Sequence, residues 1–131
     1  MKNTLFCFVF TVSVFLFPTI VFGNEIGSNQ NFFIDNNYSL NNDNQASGKL
    51  LLSTSRLHFY IDNNYWESRS VEEKKEIEIL FQELNDEFNR KIYPGVTGAF
   101  GVEMYYGINK DPKITLLFHK AKAGVNGYIR N

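Results

Sequence analysis

Along residues 70–93 the larger apolar side chains fall at Ile77, Leu80, Phe81, Leu84, Phe88 and Ile92, with charged and amide side chains between them. Steps of three and four set these positions on one stripe, so the pattern predicts a single long amphipathic helix over about 71–92. Its ends carry matching signals. Ser70 with Glu73 makes a capping box, in which the serine hydroxyl takes one free backbone N–H and the glutamate reaches back to another. Glu72 and Glu73 at the start, and Arg90 and Lys91 near the end, complement the helix dipole. Pro94-Gly95 reads as the stop. A one-sided helix of this length draws most of its stability from whatever covers its stripe.

Two further patterns supply that cover. In residues 56–62, Leu57, Phe59 and Ile61 alternate with His58, Tyr60 and Asp62, which predicts a half-buried strand running into an Asp-Asn-Asn turn. Residues 114–118, Ile-Thr-Leu-Leu-Phe, form a nearly continuous apolar run after Lys113, the pattern of a central strand covered on both faces. Strand, helix, strand is a βαβ unit, so the expected fold class is α+β. The strands are expected to run parallel, with a right-handed crossover and the helix stripe lying on the sheet. Two strands are too few to cover both faces of residues 114–118. Gly98, Gly101 and Gly107 punctuate an expected ordered loop with a short extended piece at 102–106, followed by a turn at Asn109-Lys110-Asp111-Pro112. The tail, 119–131, is small, basic and glycine-containing.

Composition changes the picture at the other end. Lys2, the apolar run 5–17 and the small-residue region closing at Gly23 read as a secretory signal peptide, residues 1–23. The competing reading is an uncleaved anchor, since 4–22 is nearly long enough to span a bilayer. Pro18 and the single flanking lysine favour cleavage, which makes the expected location secreted, extracellular or periplasmic, with no stable membrane anchor. Cys7 lies inside the apolar run, so no lipoprotein anchor is expected and the mature chain is free of disulfides. Eight of the twenty-five residues in 24–48 are asparagine, and this stretch reads as a flexible, disordered linker. The remaining 49–131 is the folded unit. Residues 32–38, Phe-Phe-Ile-Asp-Asn-Asn-Tyr, are echoed by 59–65, Phe-Tyr-Ile-Asp-Asn-Asn-Tyr; with asparagine so common, coincidence or a small local duplication competes with a true repeat. Without Lys2 the chain has 12 basic and 14 acidic residues, a net charge of −2, and no basic stripe for nucleic acid.

The candidate chemistry is thin. If the strands pair with Leu57 level with Ile114, His119 lies four residues beyond the level of His58, roughly 13 Å at the rise of an extended strand, too far to share a metal. Glu72, Glu73, Glu76, Glu78, Glu83, Asp86 and Glu87 form a solvated helix face. Asp62 to Asn64 and Asn109 to Asp111 resemble fragments of calcium loops but lack the alternating ligands and closing glutamate. No serine elbow, phosphate loop or surviving thiol is present. No catalytic, cofactor-binding or metal residue is assigned.

The order of motifs nevertheless carries a resemblance. His58-Phe59-Tyr60-Ile61-Asp62, Trp66, the acidic helix, Ile92-Tyr93-Pro94, Phe100-Gly101, the run from Gly107 to Phe118 and Gly127-Tyr128 follow one another. This succession resembles the front of the catalytic domain of hyicolysin-type secreted neutral metallopeptidases, a zincin family, over about 57–131. The resemblance implies a mixed sheet with a backing helix, then an H-E-x-x-H helix whose two histidines bind zinc while its glutamate activates water. No His-Glu pair occurs in this sequence, so no zinc ligand or base carries over. The expectation is an incomplete zincin-like front subdomain, inactive alone, with no cofactor of its own. Its partners are unknown, and peptide substrates would apply only to a complete domain. The alternative is a non-enzymatic secreted binding module with the aromatic loop from Phe100 to Tyr106 as its contact surface, although core packing also accounts for those aromatics.

Overall fold

The computed structural model describes residues 25–102 and 111–127. The expected signal peptide, with Cys7, lies outside them, as does all of the expected extended piece at 102–106 except Val102. Four strands, β1 (Asn29–Phe33), β2 (Gln45–Ser53), β3 (Leu57–Asp62) and β4 (Ile114–Phe118), form one sheet in the order β1-β2-β3-β4. The first three are antiparallel neighbours, and β3 and β4 are parallel, as the strand–helix–strand order predicts, with Leu57 paired to Ile114 and Ile61 to Phe118. Between them lie a short helix α1 (Asn63–Glu67) and the long helix α2 (Val71–Glu87). A π turn (Phe88–Ile92) then leads into α3 (Tyr93–Phe100).

The alternation of β3 sends Leu57, Phe59 and Ile61 to the face under α2. There they meet Phe81 and Trp66, with Ile77, Leu84, Phe88, Leu52 and Leu116 around them. Ring centroids of Phe59 and Phe81 are 5.1 Å apart, and those of Phe81 and Phe118 4.7 Å. The capping box forms as the sequence predicts: Glu73 N–H donates to Ser70 Oγ at 3.2 Å and Ser70 N–H to Glu73 Oε2 at 2.7 Å. Two members of the predicted stripe stay out of the core. Leu80 and Ile92 are exposed, because the buried seam follows Ile77, Phe81, Leu84 and Phe88 while Leu80 lies towards β4, the last strand of the sheet.

The opposite face is also buried, which the strand pattern alone does not show. Tyr60, His58 and Leu50 are inside because the sheet curls: Phe32 of β1 packs edge-on to Tyr60 at 4.9 Å. Gly48 makes the curl possible, since a Cβ there would stand 3.0 Å from both Phe32 Cε2 and Leu117 Cδ1. Beyond the strands, Leu40 N–H donates to Lys120 O at 3.2 Å and Lys122 N–H to Tyr38 O at 2.9 Å, tying the exit of β1 to the exit of β4.

Three sequence expectations are corrected. The supposed linker, 24–48, contains β1 and the start of β2. Ile34 and Ala46 of this stretch are buried although Ile26, Phe33 and Leu40 are exposed, and some of its polar residues close turns: Asp35 Oδ1 accepts Asn37 N–H at 2.8 Å, and Asn42 takes the left-handed conformation (φ 59°) that asparagine tolerates. Among the described residues, 114–118 form an edge strand and not a central one, and β2 and β3 are the inner strands of the sheet. Pro94 does not end the helix. Tyr93 N–H bonds back five residues to Phe88 O, and this widened turn sets Pro94 in the first turn of α3, where a missing donor costs little. The echoed segments take matching places, each the end of a strand with an aspartate accepting a turn N–H, Asp35 from Asn37 and Asp62 from Tyr65.

Candidate functional site

His58 is the second residue of β3, on the face away from α2, with 4% of its surface exposed. Its Nε2 lies 2.8 Å from Asp111 Oδ2. A carboxylate only accepts, so Nε2 carries the hydrogen, and Nδ1 is buried with no hydrogen-bond partner. Asp111 is itself fixed just ahead of β4: its Oδ1 accepts Lys113 N–H at 3.0 Å, and Lys113 Nζ donates to Ser53 Oγ at 3.0 Å. The pair therefore clasps the start of β4 to β3. Burial pushes the Asp111 carboxyl up, but the His58 bond, the Lys113 N–H and the electrostatic pull of the neighbouring His58 and Lys113 side chains outweigh it and hold Asp111 below its ordinary value. Two residues on, Tyr60 donates its hydroxyl to Gln30 Oε1 at 3.0 Å. Burial, and secondarily the Asp111 charge, raise its phenol and keep it protonated.

A histidine oriented by an aspartate is half of a proton relay. The other half, a nucleophile or water-activating partner on the free ring nitrogen, is missing among the described residues, and Ser53 is engaged by Lys113. His119 stands at the far end of β4, level with Asp62, with Nδ1 3.1 Å from Lys120 O, so the two histidines do not meet. No group of three or more potential metal-ligating His, Cys, Asp or Glu side chains comes together among the described residues. The carboxylates of the acidic stretch that make close contacts do structural work: Glu73 caps α2 and pairs with Arg69, and Glu87 pairs with Lys91 at 2.8 Å. Asp62 caps α1 through Tyr65 N–H, which accounts for its calcium-like sequence. Sequence reasoning missed the His58–Asp111 pair because Asp111 reads as a turn residue; the parallel register, with His58 level with Thr115, was the available signal.

The second feature is a surface. Pairing begins with Ile114 N–H donating to Arg56 O at 2.8 Å, so the parallel ladder turns the N–H groups of Thr115 and Leu117 away from β3. Beside this edge runs an apolar groove of about 530 Å³ between α2 and β4, lined by Ile77, Leu80, Leu84, Phe118 and Lys120 among others. Ile114 and Phe118 remain 43% and 37% exposed. Helix α3 buries none of its residues, and Phe100 at its end is 87% exposed. No helix among the described residues is long and apolar enough to cross a membrane. No family model, curated protein or solved structure matches this chain.

Proposed function

We propose that the chain is an exported, non-catalytic module on the plan of the front of a hyicolysin-type zincin domain, and that its working surface is the flank formed by β4 and α2. One observation carries this: among the described residues β4 is an edge strand without charge, proline or bulge, and it lies beside an apolar groove. Edge strands of stable domains are normally blunted by such devices, so an unblunted one marks a place for another strand to add. A further polypeptide segment would complete the sheet there, and in the zincin reading that segment leads towards the zinc-binding helix. His58 and Asp111 then serve to hold β4 in register and take no part in hydrolysis. The purified protein is expected neither to retain zinc after dialysis nor to cleave casein. Stoichiometric zinc by elemental analysis contradicts the proposal.

A second reading, a self-sufficient secreted binding module, is favoured by α3 and the residues just after it, where Val96, Phe100 and Val102 offer exposed apolar surface. The nucleotide sequence after the Asn131 codon separates the two. An H-E-x-x-H in any frame within the next hundred or so codons supports the metallopeptidase plan, and unrelated sequence with cooperative folding of this chain supports the binding module.

A further inference from the structure

The turn after β1 contains Asn37-Tyr38-Ser39, the only Asn-x-Ser/Thr triplet in the chain, with no proline at its centre. Its backbone is pinned from both sides. Asp35 Oδ1 accepts Asn37 N–H at 2.8 Å, Tyr38 O accepts Lys122 N–H at 2.9 Å, and Asn36 O accepts Lys122 Nζ at 3.2 Å. Ser39 is buried and bridged to Ala121, whereas Asn37 is exposed. The fold thus holds the turn through its main chain and leaves the Asn37 side chain at the surface, where a bulky polar substituent displaces no packing.

We propose that Asn37 is an acceptor for an N-linked glycan when the chain is exported through a pathway with an oligosaccharyl transferase. The Asn37 amide nitrogen, Nδ2, bonds to the anomeric carbon of a lipid-linked oligosaccharide. The carbon–oxygen bond to the lipid pyrophosphate breaks, the nitrogen gives up one proton, and the lipid pyrophosphate leaves. This inference rests on the export reading and not on the metallopeptidase plan. It also gives the asparagine-rich stretch a role beyond closing turns, since a glycan there would sit where the exits of β1 and β4 are tied together.

The test expresses the full chain in a eukaryotic secretory host and compares intact masses of wild type and Asn37→Gln, with the N-terminus of each product sequenced. Because Asn37 is exposed, the variant folds as the parent does. The expected result is a processed wild-type protein carrying a glycan mass that Asn37→Gln lacks, with an amidase that releases N-glycans leaving aspartate at position 37. A processed, secreted protein with unmodified Asn37 overturns the glycan proposal alone. An unprocessed protein retained in the cytosol overturns the export reading, and the glycan proposal with it.

Discussion

Strands β3 and β4 run side by side, level residue for residue, and their fates differ. Leu57, Phe59 and Ile61 of β3 are buried, whereas their partners Ile114 and Phe118 on β4 stay substantially exposed. The sequence patterns point the opposite way, alternating in β3 and continuous in β4. What separates them is place in the sheet. β3 has a neighbour on each edge, α2 over one face and the curl of β1 over the other, while β4 has a strand neighbour on one side only among the described residues. An apolar run reports what a strand would bury if covered; it does not report that the cover is present.

The comparison breaks most readily in the core. Phe59→Ala removes a ring packed on Phe81 and should cost about 3–5 kcal/mol. Phe118→Ala, on the open strand, should cost about half of that or less. Equal losses in urea unfolding would place β4 inside the core. Gly48→Val tests the curl that buries the polar face of β3: a Cβ at 3.0 Å from Phe32 and Leu117 leaves no room for a branched side chain. The expected loss is about 1–3 kcal/mol by overpacking, and an unchanged midpoint would mean the curl opens freely.

The smallest expected effect concerns the clasp between the two strands. Asp111 titrates below its ordinary 3.8, so its charged form stabilises the fold above that value, and the contribution is lost as pH falls through the lower folded value. Asp111→Asn should lower stability at neutral pH by about 1 kcal/mol and flatten the acid limb of the profile below about pH 4. A variant whose profile parallels the parent's throughout would show that the His58–Asp111 contact does not hold β4.

Much of the frame was legible in sequence. The capped helix and both strands of the βαβ unit follow from apolar spacing and from the Ser70–Glu73 signal, and their parallel pairing from the strand–helix–strand order. Local chemistry hid the rest. In 24–48, few apolar residues suffice because the strands they form share the core of β3, and some of the asparagines that look like disorder, Asn37 and Asn42 among them, close turns while Asn29 and Asn31 belong to β1. Pro94 misled because one widened turn absorbs it. His58 and Tyr60 read as solvent-facing, yet long-range partners, Asp111 and Gln30, make their burial tolerable. Such partners leave no local trace in a sequence.

The central claim is that the β4 flank is open and waiting for another polypeptide segment, while β3 is closed on every side. Native-state hydrogen exchange, resolved by residue, tests it most directly. Amides of β3 should exchange only through global unfolding, while the outward N–H groups of Thr115 and Leu117 exchange orders of magnitude faster than their neighbours on the same strand. Protection of Thr115 and Leu117 equal to that of β3 would contradict the account.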